Sequence, residues 1–352
     1  CVCSILREPG HLVADGAIRS SLKVLPMFKA LKTTLCMAAR ERFVLPHYHA
    51  YVRMNRGPER RVVLPSDSLD PEFVADPFLF RKNGSTWLFF EGLYRNRGCR
   101  GRNKGVIACL KQADGAWQDI GIVLEEPWHL SYPQIFEVDG RTYMIPESGQ
   151  SGAVSLYESM DFPRGWVKRG DLIVGDCNYV DASLVREGND FYLGVTPAEA
   201  PQRPELWMAE SLMGPWTKHP QSEAVSPSLA LRRNGGAFLR EDGGLFRIAQ
   251  DCEGGYGRRL FCVPVLRLDS GSYAEGRPEL LAAVIDWPQP LPHHTYNRLV
   301  TEEGVLEVVD RHYDTMRPPR AFFASTFWFI VDGLRFLIKC PGWAQKGTPS
   351  HA

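Results

Sequence analysis

Four carboxylates recur where a repeated pattern returns to the same point. Asp76 and Asp181 open apolar strands, and Glu91 and Glu147 close the strands that follow. Two acids facing one bond are what making or breaking a glycosidic link requires, one group giving a proton and the other taking it. An Asp before Pro or Ala can equally cap a turn through its own backbone, so each alone is ambiguous. As a set they are less so. The closing position, four residues beyond an aromatic, holds Glu91 after Trp87, Glu147 after Tyr143, Thr196 after Tyr192 and Gln250 after Phe246, where a merely packed repeat would place apolar groups.

The segments that position these residues share one form. "ADPFLFRKNGSTWLFFEG" from Ala75, "SYPQIFEVDGRTYMIPES" from Ser131, "VDASLVREGNDFYLGVT" from Val180, "GGAFLREDGGLFRIAQD" from Gly235 and "TYNRLVTEEGVLEVVD" from Thr295 each read as an apolar strand, a Gly-containing turn and a second apolar strand. Aligning them places Asp76, Tyr132, Asp181, Gly235 and Tyr296 at one position. A second marker, Trp117, Trp166 and Trp216, recurs later in three copies and is expected near an outer hairpin. Units of about 50 residues with several short strands predict propeller blades, because radial repetition removes exposed sheet edges. The expected fold is therefore an all-β, five-bladed β-propeller (66–313) with a partly helical N-terminal extension (1–65) and a C-terminal tail (314–352) packing on it. The fifth copy is too short for a four-stranded blade, which predicts closure by strands from the extension.

Composition limits the function. Lys plus Arg and Asp plus Glu number 41 each, so no basic surplus faces a nucleic acid. The nine cysteines are scattered, odd in number and without a CxxC pair. This pattern opposes a disulfide framework or a zinc site and predicts a reducing, cytoplasmic setting. The most apolar run, Ala321 to Cys340, is interrupted by Asp332, Gly333 and Arg335 and gives no clear membrane segment. The first residue is not Met and no signal peptide is evident, so a fragment is expected.

"VADPFLF" with "WLFFEG", and "VDASLVREGNDFYLGV", resemble two blades of the family 43 glycoside hydrolases, which are five-bladed propellers. "LEEPWHLSYPQIF", "YMIPES", "LYESMDFPRGW", "MGPWTKHP", "RRNGGAFL" and "RIAQDCEGGYGRRL" resemble, over about Ser66 to Asn297, the family 43-like N-terminal domain of plant glucosamine inositolphosphorylceramide transferases and its bacterial relatives. The hydrolase resemblance implies Asp76 as general base, Asp181 as modulator of the acid's pKa, and a Glu acid opening the fourth inner strand. That place reads "RRNGG", with no carboxylate, and Glu147 is the candidate replacement. The plant transferases also carry a separate glycosyltransferase domain, which nothing in this chain resembles.

The expected catalytic set is Asp76, Asp181 and Glu147. The expected binding set is Glu91, His129, Tyr132, Arg233, Asn234, Gln250, Asp251, Tyr256 and Arg258, whose donors and acceptors suit sugar hydroxyls or an anionic group. Adjacent His293 and His294 cannot both face one ion from a strand, so they are read as channel-lining, and neither a metal nor a cofactor is expected. Two functions compete. One is hydrolysis or transfer of a sugar; the other is noncatalytic glycan binding that assists a partner glycosyltransferase. A WD-type interaction propeller is opposed by the absent WD dipeptide and its shorter period.

Overall fold

The computed structural model describes residues 44–65, 71–94, 97, 103–113, 115–175, 177–199, 203–225, 231–252, 257–287 and 294–316. The helical-looking stretch Ser21–Phe43, the tail beyond Met316, Tyr256 and His293 lie outside them. Among the described residues, no helix is long and apolar enough to cross a membrane.

Five separate antiparallel sheets make a five-bladed propeller within the compact unit His47–Tyr313. Blade 1 runs from its inner to its outer edge through Val74–Lys82, Ser85–Tyr94, Lys104–Ala113 and Ala116–Leu124. Blade 2 is Ser131–Val138, Arg141–Glu147, Ala153–Asp161 and Arg164–Val174. Blade 3 is Tyr179–Glu187, Asp190–Pro197, Glu205–Ala209 and Thr217–Lys218. In blade 4 the inner strand is broken into Arg233–Asn234 and Leu239–Glu241, both paired with Gly244–Gln250. Leu260–Asp269 follows, flanked by Ser272–Glu275 and Glu279–Leu280.

Blade 5 joins the two ends of the propeller. Tyr296–Thr301 and Gly304–Met316 pair as a hairpin, and Val44–Met54 with Arg60–Arg61 supply the outer strands. The ring thus closes non-covalently, through a strand from one end of the chain beside a strand from the other.

Local chemistry explains the hairpins. Asn83-Gly84, Asp139-Gly140 and Asp242-Gly243 all have positive φ at both residues, the conformation a tight two-residue hairpin needs and these types tolerate. Middle strands such as Ser85–Tyr94 are buried almost throughout because each blade is covered on both faces. This is why "TWLFFEG" reads as a continuous apolar run rather than an alternation.

The core is divided among the blade interfaces. One cluster gathers Leu88, Phe90 and Leu110 of blade 1 with Ala50, Leu306 and Val308 of blade 5. Another joins Phe89 and Ile107 of blade 1 to Ile135, Met144 and Tyr157 of blade 2. Each recurring Trp stands at or beside the start of an outermost strand and packs on the cluster its blade shares with the preceding one. The indole N–H groups of Trp166 and Trp216 donate to the Pro163 and Leu212 carbonyls. The repeat marker is thus an interface wedge.

Candidate functional site

Strand register shows how the site residues are aimed. In blades 1, 2 and 3 the inner strand slips register between Ala75 and Phe78, Ser131 and Gln134, and Val180 and Ser183. At each slip sits a residue with left-handed backbone: Asp76 (φ 48), Tyr132 (φ 45) and Asp181 (φ 52). A bulge turns a side chain that would alternate between sheet faces so that it points elsewhere. Holding non-glycine residues there costs about 1–3 kcal/mol each, and such strain concentrates at functional sites.

The residues opposite form a ring. Glu91 pairs with Ala75, Glu147 with Ser131, Thr196 with Val180 and Gln250 with Arg233. The fifth member is Asp310, whose N–H donates to the Thr295 carbonyl at 3.3 Å. Sequence reasoning missed Asp310 because Leu306, not an aromatic, stands four residues before it; the residue after its partner, Tyr296, could have located it. The same register makes Asn234, rather than Gly235, the blade 4 equivalent of Asp76 and Asp181.

Asp76 is buried. Its Oδ1 accepts from the Thr295 hydroxyl at 2.6 Å and lies 3.5 Å from His294 Nε2, and its Oδ2 accepts from the Tyr132 N–H at 3.2 Å. Burial, Glu91 and Asp310 push its carboxyl up to about 7 against the pull of His294 and Thr295. On its other side His294 Nδ1 lies 2.5 Å from Asp310, which also accepts the N–H groups of Asp76, His294 and Thr295. Burial pulls His294 down, but Asp310 and then Asp76 outweigh it and carry the imidazole up to about 9. Asp310 moves the other way, held below its ordinary range by His294 and the backbone donors despite its burial. Asp76, His294 and Asp310 offer ligand atoms within 4.8 Å of one another. His294 stands between the two carboxylates, its Nε2 3.5 Å from Asp76 and its Nδ1 2.5 Å from Asp310.

Glu147 lies toward blades 3 and 4. Its Oε2 accepts from the Asp181 N–H at 3.1 Å and is 4.0 Å from Arg233. Burial and the Asp181 carboxylate push it up to about 8, with Arg233 pulling the other way. At neutral pH Glu147 therefore carries its proton. Asp181 is held differently: Arg233 donates from Nε and a terminal nitrogen to its two oxygens at 2.5 and 3.0 Å. Gln250 donates to the Asn234 carbonyl at 2.6 Å, while its buried Oε1 has no hydrogen-bond partner. A ligand hydroxyl could satisfy that oxygen.

Glu147 makes the fold's stability depend on pH. Its folded pKa lies above the ordinary value of 4.5, so the folded state holds a proton that the unfolded chain has already lost at neutral pH. The contribution is full below pH 4.5 and is lost as pH rises through about 8. Glu147→Gln should therefore shrink the fall in Tm between acid and alkaline buffer by about 2 °C or more. An unchanged fall, read by scanning calorimetry, would mean that the Glu147 carboxyl is not raised by its surroundings.

Several of the expected binding residues are engaged by other groups of the protein. Tyr132 is fully buried, and its hydroxyl donates to the Gly236 carbonyl at 2.7 Å, accepts the Gly236 N–H at 2.7 Å and lies 2.8 Å from Ser183 Oγ. Its hydroxyl ties blade 2 to Ser183 of blade 3 and Gly236 of blade 4. Gly236 is matched to this contact: its φ is 147°, and a methyl there would stand 1.9 Å from the Tyr296 carbonyl oxygen. Gly236→Ala should cost more than about 1 kcal/mol, measured by urea unfolding; a neutral result would contradict the close approach. Asn234 is also structural, donating to the Asp181 and Gly194 carbonyls. Asp251 accepts two bonds from Arg259. Arg258 is exposed on the same hairpin. His129 lies 2.9 Å from Glu91, and the Gly105 N–H donates to its Nδ1 at 3.1 Å, placing the ring proton on Nε2 toward Glu91. The site thus gathers Glu147, Asp181, Arg233 and Gln250 on one side and Asp76 with its His294–Asp310 support on the other.

The family model described as glucosamine inositolphosphorylceramide transferase 1, N-terminal, matches residues 63–283. Proteins called glucosamine inositolphosphorylceramide transferase 1 are similar: that of Oryza sativa subsp. japonica is 32% identical over 249 residues, covering 68% of this chain and 33% of that protein. That of Arabidopsis thaliana is 31% identical over 218 residues, covering 60% and 28%. The chain spans about a third of the length of the curated relatives it matches. Among solved structures, an exo-1,5-alpha-L-arabinanase from a bovine ruminal metagenomic library is 11% identical, with TM-score 0.48 and coverage of 66% of this chain and 93% of that one. A xylan beta-1,4-xylosidase from Bacillus halodurans C-125 is 17% identical, with TM-score 0.45 and coverage of 61% and 47%.

Proposed function

The chain belongs to the family of the N-terminal region of glucosamine inositolphosphorylceramide transferase 1, and from that premise we propose that its channel mouth binds a sugar and makes or breaks a glycosidic bond. Glu147 is the proton donor and Asp76 the proton acceptor. A glycan-related role follows from the named relatives; the assignment of roles is carried by one observation. Glu147, half-buried between Asp181 and Arg233, is pushed up to about 8, while Asp76 is pushed up to about 7. An acid and a base tuned toward the working pH are what paired proton transfer needs. The Asp181 carboxylate, paired with Arg233, then serves to raise Glu147 and to hold it through the Asp181 N–H.

A pH–rate profile tests this. On a substrate found by a sugar-release and transfer screen, kcat/KM should rise as Asp76 ionises near pH 7 and fall as Glu147 ionises near pH 8. Glu147→Gln should remove the alkaline limb from what activity remains. A profile without either limb would contradict the assignment.

The alternative, a noncatalytic glycan-binding propeller that assists a partner glycosyltransferase, is favoured by the lack of a carboxylate in "RRNGG" and by the short coverage of the relatives. It predicts sugar binding without turnover.

A further inference from the structure

The strand Val44–Met54, lent to blade 5 by the other end of the propeller, alternates half-buried and buried residues over His47, Tyr48, His49 and Ala50. Side chains two apart share a face of a strand, so Tyr48 stands on the face of Ala50, which packs against blade 1. Three rings fix it. His294 is stacked on it at 4.6 Å with the planes 26° apart, and His312 is tilted at 5.0 Å. Phe73, just ahead of the inner strand of blade 1, meets it edge-on at 5.4 Å. These contacts account for the ring and leave the hydroxyl unexplained.

A buried tyrosine usually finds a partner for its O–H. Tyr48 is only 6% exposed, yet among the described residues its hydroxyl has no hydrogen-bond partner. Nor is its oxygen one of the polar atoms sealed in the interior without a partner. The ring is therefore covered while the tip is reached from outside. Contacts place that tip beside the site: the stacked His294 is 3.5 Å from Asp76, and a methyl added to Gly257 of blade 4 would stand 3.9 Å from the Tyr48 oxygen and 3.3 Å from His294 Cβ. Burial first, then the Asp310, Asp76 and Glu91 carboxylates, hold the phenol well above its ordinary range against the pull of Arg233. It stays a donor throughout the working pH range. The acids around it are already engaged, Asp310 by His294 and three backbone N–H groups and Asp76 by Thr295 and Tyr132.

We propose that Tyr48 is a sugar-binding residue of the channel mouth, its ring fixed by His294, His312 and Phe73 and its hydroxyl donating to an oxygen of the bound sugar. The sugar is taken from the function proposed above, while the donor is argued from Tyr48 and its neighbours. Tyr48 lies outside the matched residues 63–283. The strand that closes the ring then also completes the site.

Tyr48→Phe is the test, because it keeps the stacked ring and removes only the donor. The probes are the methyl glycosides of glucose, galactose, mannose, xylose and arabinose, titrated by calorimetry. The wild-type protein should bind at least one of them, and Tyr48→Phe should weaken that binding about three- to tenfold with Tm unchanged. Where a substrate is turned over, KM should rise and kcat should hold. Tyr51→Phe, on the opposite face of the same strand, should change neither. Binding that Glu147→Gln alters and Tyr48→Phe leaves untouched would overturn this inference and keep the proposed site. Binding weakened by Tyr48→Phe in a protein that never turns over a sugar would keep this inference and remove the catalytic reading. No binding of any probe at tens of millimolar would remove both. Should Tyr48→Phe fail to fold, a crystal of the wild-type protein with a bound glycoside still decides: a sugar oxygen within hydrogen-bond distance of the Tyr48 hydroxyl supports the inference, and a sugar in the mouth that leaves it untouched overturns it.

Discussion

Glu147→Gln and Asp76→Asn should each lower turnover by about 10² to 10⁴, the contribution of a positioned general acid or base. Both replacements keep the shape of the side chain and remove the proton chemistry. Ligand affinity should fall far less, by the equivalent of about 0.5–1.5 kcal/mol for one neutral hydrogen bond. Asp181→Asn acts indirectly. It removes the charge that helps keep Glu147 protonated, so its signature is an alkaline limb moved to lower pH. An Asp76→Asn protein that retains full turnover would exclude Asp76 as the base, and a Glu147→Gln protein that does so would exclude Glu147 as the acid.

The second large effect is expected where the ring closes. Arg53, in the strand Val44–Met54, is buried and donates to Glu307 from Nε at 2.7 Å and from a terminal nitrogen at 3.1 Å. It also donates to the carbonyls of Asp286 and Ile285, and its guanidinium stacks 4.0 Å from the Trp287 ring. Glu307 accepts in addition from the Tyr296 hydroxyl at 2.8 Å. Removing one partner of a buried pair strands the other, at a cost of about 3–5 kcal/mol. Arg53→Met should therefore consume a large part of the stability of a typical domain, about 5–15 kcal/mol. The double variant Arg53→Met, Glu307→Leu should be much less unstable than the sum of the single changes, because no charge is then left buried alone. Additive losses in denaturant unfolding would show that the pair does not couple the two ends of the ring.

The sequence made some features legible and hid others, for physical reasons. The blade hairpins could be read because Asn83-Gly84, Asp139-Gly140 and Asp242-Gly243 are tight-turn pairs between apolar runs. The five-bladed arrangement could be read because every blade repeats that hairpin. The site was partly legible: Glu91, Glu147, Thr196 and Gln250 follow an aromatic at fixed spacing, and register places them at one ring level. Asp310 and the partnership of His294 with Asp76 were not legible. Blade 5 has no bulge at Tyr296 and no aromatic marker before Asp310, and its neighbours in space are remote in sequence. Tyr132 was read as a ligand contact because it occupies the position of Asp76 and Asp181. The bulge that holds the short, buried side chains of Asp76 and Asp181 sends a longer phenol at Tyr132 to Gly236 of blade 4. Repeat position fixes where a side chain starts, and its length decides where it ends.

The account rests on a sugar occupying the mouth among Glu147, Asp76 and Gln250. The most direct test is a crystal soaked with a panel of monosaccharides, sugar phosphates and nucleotide sugars. The expected result is ligand density within hydrogen-bond distance of the Glu147 carboxyl and of Gln250 Oε1. Ligand found only on the outer faces of the blades, with Glu147 and Gln250 untouched, would contradict it.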